Sequence, residues 1–430
     1  MAEIVVLGAG LGGILATYEI LPGLRKEDKL TLIGEEPRYH FVPSNPWVAL
    51  GWRERREIEV DASAVMRRKK VTYLTQGAQR VDPDRKQVIM NDGGMVGYDY
   101  LVIATGPDLA FDEIAGLGPR GHTQSICHVD HAQQAYTAFE ALCRKPGPVV
   151  IGAAQGASCF GPAYEFAYIL DTELRKRRIR DQVKMTFLTP EPYIGHLGLD
   201  GVGDTKSLME SEFRNRHIQW VTNARIDTID ADQMAVQEIG GDGAVVRTHT
   251  VPYRYAMILP PFRGIAAVRE IEGLVNPRGF VLIDRHQRNP AYPEVFGIGV
   301  CVAIPPVGPT PVPVGTPKTR FMIESMVTAT ARNIGRLVRG EKPNARATLN
   351  AICLADFGDG GVAFVAQPQI PPRNVNWSAK GKWVHLAKAV FEKYFLRKIR
   401  NGESMPFYEK FLLGQLDIQR IREPAEQVQS

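Results

Sequence analysis

Hydrophobic positions along this chain fall into two alternating patterns. Short, largely apolar runs, Ile4–Leu7, Leu30–Ile33, Tyr100–Ile103 and Val149–Ile151, each run into a glycine or small-residue turn. Runs of this length predict strands buried on both faces of a parallel sheet. Ile14 to Leu21 then reads as helix. The longest apolar stretch, Val149 to Leu170, carries Gly152, Gly156, Gly161, Pro162 and Glu165, so it predicts strand, turn and helix rather than a membrane span. Near the other end Trp383, Ala387, Val390, Phe391, Tyr394 and Phe395 recur three and four apart, the spacing of an amphipathic helix. Gly402 and Pro406 end it, and Phe407–Leu413 predicts a second short helix. Together the elements predict an α/β chain with two Rossmann-like dinucleotide-binding domains and a C-terminal amphipathic helical segment.

Composition narrows this only a little. A chain of 430 residues predicts two or three domains. Hydrophobic residues at 44% and charged residues at 23% exclude a disordered chain, a collagen-like fibre and a polytopic membrane protein. The net charge of +5 gives no argument for nucleic acid. Met1-Ala2-Glu3 lacks the basic start of a secretory signal. Five cysteines are too sparse for a disulfide scaffold, and no ligand spacing points to a metal.

The turn after the first strand is Gly8-Ala9-Gly10-Leu11-Gly12-Gly13, a G-x-G-x-x-G motif between strand and helix. Gly8 permits the turn, Gly10 admits a pyrophosphate, and Gly13 allows close packing of helix on strand. Glu35, 22 residues after Gly13, ends the second strand where an acid binds a ribose hydroxyl. Two later features favour FAD over NAD: the strand ending in Ala104-Thr105-Gly106, and Val295-Phe296-Gly297-Ile298-Gly299, which looks like the strand completing an FAD site. The acid usual after those glycines is absent, with Val300 or Cys301 in its place, so backbone amides must carry more of the contacts. The FAD domain is then expected in two parts, residues 1–115 and 275–345, around a second unit at 116–274, with a C-terminal quinone and membrane region at 346–430. In that second unit the turn reads Gly152-Ala153-Ala154-Gln155-Gly156-Ala157. Alanine at the pyrophosphate-approach position predicts a degenerate nicotinamide site.

Cys127, Cys159 and Cys353 sit beside glycines, histidines or acids in loop-like contexts. Cys301, expected in an apolar strand, and Cys143, expected in a helix, read as small core hydrophobes. Cys159 is expected at a helix start, where the dipole favours a thiolate. The C-x-x-C and C-x-x-x-x-C pairs of disulfide reductases are absent, and all five thiols being structural stays an open reading.

Longer words carry a more specific signal: Phe41-Val42-Pro43-Ser44-Asn45-Pro46-Trp47, Gly156-Ala157-Ser158-Cys159-Phe160-Gly161-Pro162, Pro192-Tyr193-Ile194-Gly195-His196-Leu197-Gly198, Thr316-Pro317-Lys318-Thr319 and the block from Trp383 to Phe395. Through these the chain resembles the sulfide:quinone oxidoreductase family, in particular its acidophilic bacterial branch. The resemblance implies an FAD enzyme that oxidises sulfide to sulfane sulfur or polysulfide and reduces ubiquinone or another membrane quinone. It implies Cys159 and Cys353 as the redox pair flanking the flavin, with Cys127 auxiliary, and Pro43, Asn45 and Lys318 among the cofactor contacts. Phe357, Lys388 and Phe391 would border the quinone. His131 and His196 are candidate proton carriers, with a hydrogen-bonded structural role equally open. Glu165, six residues beyond Cys159, faces the flavin or the solvent. From Ser378 to Arg400, seven Lys and Arg stand against Glu392 alone, which with the aromatic stripe predicts attachment to a membrane surface. The resemblance places the protein peripherally on the cytoplasmic membrane, its periplasmic face included, and leaves a homo-oligomer open. Type II NADH:quinone oxidoreductase and a non-catalytic flavoprotein acting in binding or assembly are the alternatives.

Overall fold

The computed structural model describes residues 1–406, 409 and 419–422. The helix expected at Phe407–Leu413 therefore lies outside the described residues, Glu409 apart.

Five parallel strands form the first sheet, in the order Val295–Gly297, Tyr100–Ile103, Glu3–Leu7, Lys29–Ile33, Thr72–Leu74. The edge strand Val295–Gly297 pairs with Leu101–Ile103 across an interval of nearly two hundred residues, so everything between is an insertion into this sheet. The strand Glu3–Leu7 is central and almost fully buried, as its unbroken apolar run requires. Gly8 follows at φ +109, and a methyl group there would lie 2.5 Å from Ala104 O. A side chain at Gly13 would fall 1.7 Å from Gly8 O, which is how the helix Leu11–Ile20 lies so close to its strand.

A second parallel sheet has the order Ile218–Val221, Met185–Leu188, Val149–Ala153, Tyr255–Leu259. The helix Gly161–Lys176 packs on it, and an antiparallel sheet of three strands spanning Ala224–Pro252 is appended. The chain then returns to the first sheet, and the helix Arg320–Val338 packs against Leu11–Ile20. Last come three antiparallel strands, Ala351–Asp356, Gly361–Gln367 and Val375–Lys380, and the helix Trp383–Asn401. The strand Ala351–Asp356 touches the helices Gly161–Lys176, Arg320–Val338 and Trp383–Asn401 at once, which brings its residues to the junction of all parts of the molecule.

Two local expectations change. The Cys301 stretch is not a strand but one 3-10 turn, Gly299–Cys301, in which the thiol donates to the carbonyls of Ile103 and Ile298. The helix after Cys159 begins only at Gly161, so this thiol precedes the helix instead of opening it.

Candidate functional site

The first sheet's glycine turn is a cradle of open backbone. A methyl group at Gly10 or at Gly106 would meet nothing within 4 Å. Helix Leu11–Ile20 starts at Gly10 with no side-chain cap and no acid in its first turn, which leaves its N–H groups to a phosphate. Glu35 is exposed just beyond the strand Lys29–Ile33. Thr105 hydroxyl turns back onto Gly106 O at 3.2 Å, and Pro43 stands exposed at the rim. Asn45 is fully buried; its Nδ2 donates to Ile126 O at 3.0 Å, while its Oδ1 has no partner among the described residues. A buried acceptor left unpaired is costly, and a ligand N–H or O–H would satisfy it. The residues thus fit a bound dinucleotide. The Gly299 amide donates to Met326 Sδ at 3.4 Å.

The corresponding turn of the second sheet is closed. Ala154 and Ala157 are fully buried. The Ala154 amide donates to Leu259 O, and that of Gly156 donates 2.9 Å to Pro313 O. Gly315 N in turn donates 2.9 Å to Ala157 O, so the proline-rich loop Pro311–Pro317 lies laced over the turn. The acid that would meet a ribose after the second strand, Glu191, went unnoticed in the sequence. It is fully buried and accepts from Tyr164 Oη at 2.8 Å, Thr189 Oγ1 at 2.6 Å and Leu197 N. Burial pushes its carboxyl up to about 7 despite those donors. The Ala154 and Gly156 amides and the Glu191 carboxylate are thus already paired within the protein.

Three thiols far apart in sequence come within electrostatic reach of one another. Cys127 precedes the helix Val129–Arg144, Cys159 follows the closed turn, and Cys353 lies on the strand Ala351–Asp356. All five cysteines are free thiols, and these three are half-buried. Burial pushes Cys159 up to about 12; the Cys127 charge adds to this and the Lys318 ammonium opposes it. Cys353 also rises to about 12, by burial and by Cys159, with the Arg320 guanidinium opposing. Each sulfur is thus within electrostatic reach of the next, with a cation on either side. The helix-start thiolate expected for Cys159 is not what the structure supports: the thiol precedes the helix and burial pushes it up, with Lys318 opposing. Burial in turn lowers Lys318 to about 8, with Cys301 and Cys159 acting the other way.

Comparison with known proteins bears on this site directly. The model of the pyridine nucleotide-disulphide oxidoreductase family matches residues 2–331. The sulfide-quinone reductase of Aquifex aeolicus is 42% identical over 413 residues, covering 96% of this chain and 94% of that protein. The chain belongs to the sulfide:quinone oxidoreductase family. The X-ray structure of the Aquifex aeolicus enzyme superposes with a TM-score of 0.93 at 41% identity, covering 99% of this chain and 98% of that one. NDH2 from Plasmodium falciparum, in complex with NADH, has a TM-score of 0.68 at 14% identity over 96% of this chain and 98% of that one, a likeness of fold alone. As a sulfide:quinone oxidoreductase the chain is an FAD-dependent enzyme, and the open cradle at Gly10 is where the cofactor's phosphates fit.

On the far side of Cys353, this member of the family builds a buried polar network that neither motif nor spacing announced. Glu165 is not a solvated helix residue; it is buried and ion-paired to Lys388, itself buried. Asp356 accepts from Trp47 Nε1 at 2.9 Å and from His385 Nδ1 at 2.9 Å. The Trp47 ring carries Lys388 Nζ at 4.9 Å and the Arg53 guanidinium at 4.6 Å, and Arg53 pairs with Glu392 at 2.8 Å. Trp47 and Asp356 are 309 residues apart, so only folding could introduce them. Phe391 is half-buried, 6.0 Å ring to ring from Phe41. Phe357, by contrast, is a core residue, 4.0 Å from the Tyr168 ring with no exposed surface, and is corrected from its expected place beside a quinone.

The two histidines end up in different surroundings. His131 is half-exposed beside Phe111 and His128, its Nδ1 buried without a partner among the described residues. His196 is buried, and its Nδ1 accepts from Gly198 N at 3.2 Å. Its loop abuts Cys159's neighbours, since a methyl group at Gly198 would lie 2.4 Å from Gly315 O and 3.2 Å from the Phe160 ring.

The terminal helix turns a face outward that differs from the expected one. Phe395 is buried and Phe391 faces the body, whereas Trp383, Leu386 and Val390 form the exposed apolar stripe, with Lys382, Lys393 and Arg397 also exposed. None of the described helices is long and apolar enough to cross a membrane.

Proposed function

We propose that the chain oxidises sulfide at Cys159 and Cys353, with Cys127 auxiliary, and reduces a quinone taken from a membrane. The observation that carries this is the convergence of three distant thiols beside an open dinucleotide cradle while the nicotinamide turn is laced shut. Hydrosulfide attack on a sulfur-bridged pair forms a new S–S bond on the Cys159 side and breaks the bond to Cys353, which leaves as a thiolate. Re-forming the bridge between that persulfide and the Cys353 thiolate releases a proton and two electrons, which bound FAD would accept, and each repetition adds one sulfur to the chain on Cys159. Bound FAD supplies the two-electron relay between sulfur and quinone. Arg320 opposes the burial that raises the leaving Cys353 thiol, and Lys318 opposes it at Cys159. His131 is half-exposed, whereas His196 is buried with its Nδ1 accepting from Gly198 N, so His131 is the better placed of the two to carry away the protons of sulfide. On the quinone side we assign Phe391 as the ring that borders the headgroup, and the Lys388–Glu165 pair as the polar wall behind it. The outward Trp383–Leu386–Val390 stripe with its flanking cations supports peripheral attachment to the cytoplasmic membrane, where a long-tailed quinone resides.

Anaerobic titration of the holoenzyme tests the reading. Sulfide is expected to bleach the flavin absorbance and NADH to leave it unchanged; the reverse result would establish the NADH:quinone alternative, and no bleaching by either a non-catalytic flavoprotein. Cys353→Ser is expected to keep FAD bound and lose bleaching by sulfide.

A further inference from the structure

Besides its charge near Cys353, Arg320 meets the aromatic rings of the terminal helix. Arg320 opens the helix Arg320–Val338, and its guanidinium carbon lies 4.1 Å from the Phe391 ring centre and 5.0 Å from that of Phe395. One N–H is committed, Nη1 to Glu324 Oε1 at 2.7 Å. Glu324 is fully buried and gathers two more cations, Lys398 at 3.0 Å and Arg420 at 3.1 Å. Burial works to raise its carboxyl, but Arg320, Arg420 and Lys398 together hold it down to about 2. The three cations are not equivalent. The Lys398 and Arg420 side chains are 0% and 2% exposed, whereas that of Arg320 keeps 22% of its surface. Arg320 is thus anchored by a buried carboxylate, with its partly exposed guanidinium over the Phe391 ring.

We propose that Arg320 is the quinone-recognising cation, a guanidinium N–H not used by Glu324 hydrogen-bonding a carbonyl oxygen of a headgroup resting against Phe391. This rests on the quinone reading of Phe391 above. A ring reaching Phe391 from outside meets the guanidinium, which stacks on aromatic faces and stays protonated throughout. As the quinone takes two electrons from the reduced cofactor, negative charge gathers on its oxygens before two protons arrive from solvent to complete the quinol. A fixed cation at one oxygen stabilises that charge without giving up its own proton. Lys388 is less suited to the task, because it is buried and already paired with Glu165.

The test separates the half-reactions of the holoenzyme. Decylubiquinone binding to the oxidised enzyme, and reoxidation of dithionite-reduced enzyme by decylubiquinone, are measured for wild type, Arg320→Met and Arg320→Lys at equal FAD content. Arg320→Met is expected to weaken binding and slow reoxidation by about tenfold or more, the loss of one charge-assisted hydrogen bond. Anaerobic bleaching by sulfide is read separately, because Arg320 also opposes the burial of Cys353; reduction by dithionite bypasses that step, so the quinone effect stands apart from it. Arg320→Lys retains the Glu324 pair and carries the test if the methionine variant does not fold; with a point charge in place of a planar fork it should lose about threefold. Unchanged quinone affinity and reoxidation, or a defect confined to the sulfide step, would overturn the proposal. A wild-type enzyme bleached by sulfide but never reoxidised by decylubiquinone would overturn it together with the quinone reading beneath it.

Discussion

Replacing Trp383, Leu386 and Val390 together by serine removes the outward apolar stripe of the terminal helix and leaves its packed face intact. These side chains are 52%, 67% and 58% exposed, so each has roughly half to two thirds of its surface still to bury. Full burial of such a residue is worth about 1.5–3 kcal/mol. Scaled by the exposed fractions, the three contribute about 4 kcal/mol to membrane partitioning, roughly a thousandfold in the partition coefficient. Lys382, Lys393 and Arg397, also exposed, would each add about 1 kcal/mol at an anionic surface at low salt. The assay is co-sedimentation of the holoenzyme with vesicles of mixed neutral and anionic phospholipid, over a series of lipid concentrations. Because Phe395, Leu396 and Ile399 hold the helix to the body, the triple variant should keep its FAD and its bleaching by sulfide while leaving the pellet. Binding within about threefold of wild type would refute the reasoning, because area of this size cannot be removed from a membrane contact without a larger effect.

The glycines of the cradle are separable. Gly10→Ala, into space the protein leaves open, should give a protein of unchanged melting temperature but reduced flavin-to-protein ratio, whereas Gly13→Ala, 1.7 Å from Gly8 O, should lower the melting temperature itself. His40 provides the pH prediction. Burial first, and His128 next, hold its imidazole down to about 4, below the usual 6.5. The unfolded chain therefore takes up a proton that the folded one refuses between those values, so stability should fall as pH drops from 6.5 toward 4. His40→Gln should flatten that slope in melting curves, and an unchanged slope would remove His40 from the account.

The primary sequence by itself determined the FAD half. Strand, glycine turn, helix and terminal acid lie within 35 consecutive residues, and each part is a local instruction: an apolar run to bury, Gly8 to turn at positive φ, Gly13 to let helix meet strand. Ala154 and Ala157 likewise warned that the second turn lacked its glycines. Tertiary structure alone decided how that turn is shut, because the Pro313 and Gly315 backbone comes from more than 150 residues away. It also decided that three thiols on three unrelated segments share one neighbourhood, which no spacing encodes and only resemblance suggested. The same holds for Glu165 with Lys388, and for Arg320 over Phe391, since a charged residue on a helix reads as solvated until its partner arrives. A three-four apolar pattern told that the terminal helix has two faces, and packing against Phe41 and Tyr39 chose which one turns inward. Local geometry is written in consecutive residues; burial and charge pairing are properties of contacts, and those exist only once the chain has closed on itself.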